Sequence, residues 1–288
     1  MKMKKMDIHC HTTNRKVKDT LPPSADLDHI LEQMEIHNVE RTVLLATYFP
    51  HKASGVSNYR MVHWVRQTNR RAHPDTFHIF GSLDFEHYLH QGMNELNELA
   101  EEGNIQGVKI YTGYQHIDLR SMEFQQVADI AETHELPMAF HCGYSYSSMR
   151  KYGTPAIAGM VKARDLEFVA QRYEKTPIIA CHLCKPFTDD LIEVMKRNPN
   201  LYTDMSGLID SKFDRADIPR AVEDIRKVLH EVGPTRLLFG TDFPVQTHED
   251  SVYFIETAMR DFSDYEKSQV YYRNADLILP KLDLSNGD

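Results

Sequence analysis

At 288 residues, with 41% hydrophobic and 26% charged side chains, the chain has the composition of an ordinary globular protein, long enough for two average domains or one large barrel. A formal net charge of −9 argues against a nucleic-acid-binding surface, and no apolar run approaches the ~20 residues of a membrane span. The basic start, Met1-Lys2-Met3-Lys4-Lys5-Met6, leads into no signal-peptide core, so a cytoplasmic protein is expected.

The first strand runs from Met6 to His11 and contains Asp7-Ile8-His9-Cys10-His11. Strand side chains alternate between faces, so Asp7, His9 and His11 are expected on one face and Ile8 and Cys10 on the other. Two imidazoles two residues apart on a rigid strand can chelate a divalent transition ion. An H-x-H alone is a weak motif and gains weight only from the rest of the chain.

Ser24 is the expected N-cap of a helix from about Ala25 to His37, whose apolar stripe is Leu27, Ile30, Leu31 and Met34. Thr42 to Ala46 is a continuous apolar run, as a parallel strand buried on both faces requires. A helix near Asn58–Arg71 carries the single tryptophan, Trp64, and a strand from Phe77 to Leu83 and a helix from about Tyr88 to Glu101 follow. The same unit then repeats: strands at 107–111, 137–141, 177–182, 201–204 and 236–239, with helices at 122–134, 163–173, 189–197 and 218–232 between them. Eight strand–helix units without a composition break predict one α/β domain over residues 1–288, a closed (β/α)8 TIM barrel. A doubly wound open sheet is the alternative, since alternation alone does not show closure. Two or three short helices after Thr247 are expected to pack outside.

Cys10, Cys142, Cys181 and Cys184 are too few for a disulfide scaffold. Cys181-x-x-Cys184 has no second C-x-x-C to complete a zinc knuckle, so the cysteines read as small apolar residues facing outward from strands.

In a barrel of this kind chemistry sits at the C-terminal ends of the strands. Ligand-type residues fall there repeatedly: His9 and His11 on the first strand, Lys109 on the fourth, His141 on the fifth, His182 on the sixth and Asp242 just after the eighth. His29, His37, His87 and His90 lie in helices or loops and read as solvated, while His51 and His78 stay open.

These residues belong to a set of motifs in a fixed order: Asp7-x-His9-x-His11, Gly107-Val108-Lys109, Phe140-His141-Cys142-Gly143, Ala180-Cys181-His182-Leu183, Tyr202 to Gly207, Phe239 to Pro244, and Asn274-Ala275. With them the whole chain resembles the amidohydrolase superfamily, in the amidohydrolase-related branch that includes aminocarboxymuconate-semialdehyde decarboxylase-like proteins. The resemblance implies a divalent metal held by His9, His11, His141 and Asp242, with Asp242 and His182 as the catalytic pair. Nitrogen and oxygen ligands suit Zn²⁺, with Mn²⁺ as the alternative, and would lower the pKa of a bound water towards ~7. Asp242 could then take and return a proton, and Asp7 is expected to orient a histidine.

One ion is expected. In binuclear members of the superfamily a fourth-strand lysine is carboxylated, which here would make Lys109 and His182 ligands as well. Otherwise Lys109 contacts an anionic substrate, because an unpaired ammonium inside a barrel is costly. Substrate contacts are expected from Lys109, Tyr111, Arg150 and Lys185, with Tyr114, Tyr144, Tyr146 and Lys151 nearby, to a small and carboxylated molecule. Cys184 stands where the family often has a small residue. The resulting expectation is a metal-dependent hydrolase of an amide, lactone or ester. A decarboxylase of an aromatic or muconate-type acid is the alternative, and no nucleic-acid or membrane partner is expected. A nuclease barrel would want an acidic residue at Lys109 and a basic groove. A degenerate binding barrel would have lost ligand positions. A homo-oligomer stays open.

Overall fold

The computed structural model describes residues 3–14, 16, 20–21, 24–47, 56–143 and 161–280. Eight parallel strands lie side by side in the order of the sequence: β1 Lys5–Cys10, β2 Val39–Leu45, β3 Phe77–Gly81, β4 Gly107–Ile110, β5 Met138–Phe140, β6 Ile178–Ala180, β7 Leu201–Asp204 and β8 Leu237–Leu238. A doubly wound sheet would reverse that order at a switch point. Here the two edges meet instead. Cys10 bridges Phe243 in parallel, the Ile8 amide donates to Phe239 O at 3.0 Å, and the Asp242 amide donates to His9 O at 2.7 Å. The fold is a single (β/α)8 barrel.

Helices α1 Leu27–His37, α2 Asn58–Arg71, α3 Leu89–Glu101, α4 Met122–Thr133, α5 Ala163–Arg172, α6 Thr188–Arg197 and α7 Ile218–Glu231 occupy the expected connections. The start of α1 differs from expectation. Its N-cap is Asp26, whose carboxylate accepts from the His29 amide at 2.9 Å, while Ser24 Oγ donates to the same carboxylate. A carboxylate meets the positive end of the helix dipole better than a hydroxyl does.

Both faces of the strands are buried. Val43 and Leu45 join an inner cluster with Met6, Ile8, Phe80, Ala139, Ile179 and Leu238, while Leu44 and Phe77 face the helices. Cys10, Cys142 and Cys184 lie in the outer layer as expected, but Cys181 belongs to the inner cluster. The regular strand β6 ends at Ala180, and a tight turn over Cys181–Cys184 redirects the side chains. All four cysteines are free.

β1 departs from simple alternation. Asp7 pairs with Thr42 but Cys10 pairs with Leu44, a register shift that marks a β-bulge. Ile8 therefore points inward and Cys10 outward although they are two residues apart. Asp7 does not share the face of His9 and His11. It accepts hydrogen bonds from the Thr241 amide (3.0 Å) and Oγ1 (2.6 Å) and from the His9 amide (3.0 Å), so it ties Thr241 to the His9 backbone rather than contacting the His9 or His11 ring.

After β8, α8 His248–Ala258 packs on α7 and α1 in the outer layer. Helix α9 Asp264–Ser268, a π-helical turn Gln269–Arg273 and α10 Asn274–Ile278 follow. Ala275, Ile278 and Leu279 join the inner cluster with Met6, so this last segment closes the N-terminal mouth of the barrel rather than lying on its flank. Among the described residues no helix is long and apolar enough to cross a membrane.

Candidate active site

The open end of the barrel is the C-terminal one, and there the bulge in β1 delivers two adjacent histidines. His9 Nε2 lies 3.4 Å and His11 Nε2 3.2 Å from Asp242 Oδ1, and the ligand atoms of these three residues all fall within 4.8 Å of one another. Asp242 is held there by backbone strain, with φ of 59°, a conformation rarely taken by a residue other than glycine. Burial alone would raise its carboxyl, but the hydrogen bonds from His11 and His9 hold it well below the usual carboxylate range. Gly207 makes the room. A Cβ there would lie 2.6 Å from Asp242 Oδ2 and 3.0 Å from His182 Nδ1.

His141 and His182 stand beside this cluster. His182 takes φ of 63°, followed by Leu183 and Cys184, both at 50°, and this turn brings its ring 4.8 Å from those of both His9 and His141. His182 Nδ1 lies 2.9 Å from the Ser206 carbonyl, which can only accept, so Nδ1 carries the proton. Burial, reinforced by His9, pushes the His182 pKa down to about 4, leaving Nε2 as an acceptor at neutral pH. His141 Nδ1, 3.1 Å away, must then donate to it. Burial, with His182 and Lys109 nearby, keeps His141 neutral as well, so its Nε2 retains a lone pair. Tyr114 packs edge-on against His141 at 4.8 Å.

Lys109 is fully buried. Its Nζ donates to Cys181 Sγ at 2.9 Å and lies 5.5 Å from the centre of the Tyr111 ring. Cys181 Sγ in turn lies within 4.8 Å of ligand atoms of His9 and Asp204, so the ammonium sits on the floor of the same site. Tyr111 is buried with its hydroxyl donating to Ala46 O, and Lys185 is buried with Nζ donating to Leu208 O at 3.1 Å. Arg150, with His51, Tyr144, Tyr146 and Lys151, lies outside the described residues.

Sequence reasoning assigned no role to two residues at the heart of this arrangement, Asp204 and Ser206. Asp204 Oδ2 lies 2.9 Å from His9 Nδ1, and Ser206 Oγ lies 2.9 Å from His9 Nδ1 and 3.0 Å from His182 Nδ1. Burial would raise the Asp204 carboxyl, but His9 holds it far below the carboxylate range. Burial and Lys109 would conversely lower His9, but Asp204 outweighs them and keeps it well above the usual imidazole value. The available signal was positional, since Asp204 ends β7, as Lys109 lies one residue from the end of β4 and His141 directly follows β5.

The donor set fits a divalent transition ion: two imidazole nitrogens and a carboxylate already converge, with a third imidazole one ring away. Asp84, Glu86 and His87 form a separate group after β3, remote in sequence from this convergence.

No curated protein sequence matches the chain. Among solved structures, the probable 2-pyrone-4,6-dicarboxylic acid hydrolase of Acinetobacter baumannii, with citric acid bound, shares 15% identity over 96% of this chain and 99% of its own, with a TM-score of 0.67. The 5-carboxyvanillate decarboxylase of Sphingomonas paucimobilis shares 16% identity over 96% and 98%, with a TM-score of 0.65. The dihydroxybenzoic acid decarboxylase of a Polaromonas species, with bound manganese and the inhibitor 2-nitroresorcinol, shares 15% over 96% of each chain, with a TM-score of 0.62. Identities this low establish the shared barrel. The family model for amidohydrolases, however, matches residues 6–280, nearly the whole chain and every strand end described above, and by that match the protein belongs to the amidohydrolase family.

Proposed function

We propose that the protein is a metal-dependent hydrolase of a small carboxylated molecule, cleaving a lactone, amide or related ester bond. The observation that carries this reading is the convergence of His9, His11 and Asp242 within 4.8 Å, with the buried Lys109 amino group joined to His9 through Cys181. A divalent ion held by His9, His11 and Asp242, with His141 as the further ligand, would supply Lewis acidity and bring the pKa of water towards ~7. Zn²⁺ is the ion favoured by the donor set, and Mn²⁺ is the alternative.

The protein's own groups then have distinct tasks. Asp242 engages both histidines through Oδ1, which leaves Oδ2, in the space kept open by Gly207, to accept a proton and return it to the leaving group. His182 is an uncharged imidazole against the same centre, whose Nε2 lone pair can take a proton once His141 releases it. Lys109 offers a positive charge without a carboxylate of its own among the described residues, which favours an anionic substrate over a neutral one.

Decarboxylation is the second reading. The same Lys109 would bind the scissile carboxylate, and the barrel resembles those of decarboxylases as much as that of the pyrone dicarboxylate hydrolase. The two separate in one assay. Protein loaded with Zn²⁺ or Mn²⁺ is incubated with a pyrone dicarboxylate and with a carboxylated phenol, and ring opening and CO₂ release are followed together. Turnover without CO₂ supports hydrolysis. CO₂ released in proportion to product would replace it with decarboxylation.

A further inference from the structure

Asp204 is almost fully buried and uses its two oxygens very differently. Oδ1 accepts three hydrogen bonds, from the His182 amide at 2.9 Å, the Ser206 amide at 3.1 Å and Ser206 Oγ at 2.5 Å. Among the described residues, Oδ2 has one hydrogen-bond partner, His9 Nδ1 at 2.9 Å. A carboxylate is an acceptor only, so the proton between Oδ2 and the imidazole belongs to His9 Nδ1. The other ring nitrogen, Nε2, is the one directed at Asp242.

We propose that Asp204 is a positioning residue that keeps a proton on His9 Nδ1 and so presents the His9 Nε2 lone pair to the metal. Carboxylates that accept from the remote nitrogen of a metal-bound histidine fix its tautomer and raise its basicity. Here the same carboxylate also anchors the His182 amide, so one side chain sets the ring of β1 and the strained turn after β6 together. Ser206 locks the arrangement by donating to Oδ1 while its oxygen stays within reach of both Nδ1 atoms. The inference rests on the metal reading for His9, but its central claim concerns a proton that can be observed without metal.

Asp204→Asn is the informative substitution. Three donors converge on Oδ1, so the new amide will keep its oxygen there and turn its NH₂ towards His9. That reverses the hydrogen bond, leaving Nδ1 as acceptor and the proton on Nε2, where it blocks ligation. Long-range ¹H–¹⁵N spectra of metal-free protein report whether Nδ1 is protonated, and chelator competition with Zn²⁺ alone reports affinity. The expected result is a protonated Nδ1 in the wild type, an unprotonated one in Asp204→Asn, and Zn²⁺ affinity ~10–100-fold weaker in the variant. An unprotonated Nδ1 in the wild type overturns the proposal, even should the variant fail to fold. So does a folded variant with wild-type Zn²⁺ affinity. A wild type that shows the expected proton yet never binds Zn²⁺ would remove the metal reading and leave the positioning role of Asp204 intact.

Discussion

His182 Nε2 lies 3.1 Å from His141 Nδ1 while its other nitrogen faces the Ser206 carbonyl at 2.9 Å, so its one lone pair is already engaged by a neighbouring imidazole. His182 can act as a base only when that bond yields, and until then it orients His141. His182→Asn keeps a polar side chain but removes the imidazole. Metal content should stay near normal in excess metal, and turnover should fall by ~10²–10⁴, the usual value of general acid–base help. Metal lost in step with activity would instead make His182 a ligand, and intact activity would make it structural. Elemental analysis combined with steady-state kinetics separates the three.

Metal occupancy should depend on His9 and His11. The double substitution His9→Ala/His11→Ala should leave a folded protein that has lost most tightly bound transition metal, and wild-type occupancy would remove the site as described. Affinity in the wild type should also depend on pH. Asp204 holds His9 well above the ordinary imidazole pKa despite burial, so binding at neutral pH must displace a proton. Affinity should then rise with pH, by up to about tenfold per unit for each proton released. A pH-independent affinity between 6 and 8 would show that His9 is already unprotonated.

The sequence made the architecture legible because its periodicities are those of buried parallel strands and amphipathic helices, and every strand expected from 42–46 onward is present within a few residues. The strand-end rule likewise singled out His9, His11, His141, His182 and Asp242, whose side chains the fold gathers at one end of the barrel. The face of Asp7 was not legible, because a bulge is a pairing event between two strands and alternation within one strand carries no trace of it. Cys181 was misplaced outward for a related reason, since the strand period lapses in the left-handed turn of His182–Cys184. Asp204 and Ser206 were visible as residues of a familiar stretch, but their roles depend on which atoms they face. His37 and His29, expected to be solvated, in fact stack on His248 and Phe243.

Lys109 distinguishes one ion from two. With Nζ buried and already donating to Cys181 Sγ, the single-ion reading leaves Lys109 uncarboxylated, and mass measurement should find one ion per chain and no carboxylation. Lys109→Met should then weaken binding of a carboxylated substrate or product analogue by about 2–5 kcal/mol, the cost of stranding one partner of a buried charge pair. Two ions per chain at full activity, or carboxylated Lys109, would reverse the assignment.

Gly207 is a steric gate. With φ of 57° and the Asp242 and His182 side chains at 2.6 and 3.0 Å from a built Cβ, Gly207→Ala has to displace one of them. Stability should fall by at least ~1 kcal/mol from the left-handed backbone alone, and metal affinity should fall with it. Wild-type affinity in this variant would mean that Asp242 tolerates movement, contrary to a fixed ligand.

The outer wall of the site carries a pH-sensitive element of a different kind. His248 is fully buried, 3.5 Å from Asp7 Oδ2, and its ring stacks on His37 and meets the Phe243 ring at a tilt. Neither ring nitrogen has a hydrogen-bond partner among the described residues. Burial, with His37 and His29 nearby, pushes its pKa down to about 3, whereas an unfolded histidine titrates near ~6.5. Between those values the unfolded chain takes up a proton that the native protein refuses. The contribution of His248 is therefore fully present above pH ~6.5 and is lost as pH falls towards 3, at up to ~1.4 kcal/mol per pH unit. His248→Phe should keep the packing and remove this dependence. Denaturant unfolding of both proteins from pH 4 to 8 gives the difference in stability, which should slope by about that amount below pH 6 and flatten above 7. Parallel curves would show that native His248 titrates as it does in the unfolded chain, so that burial does not exclude its proton.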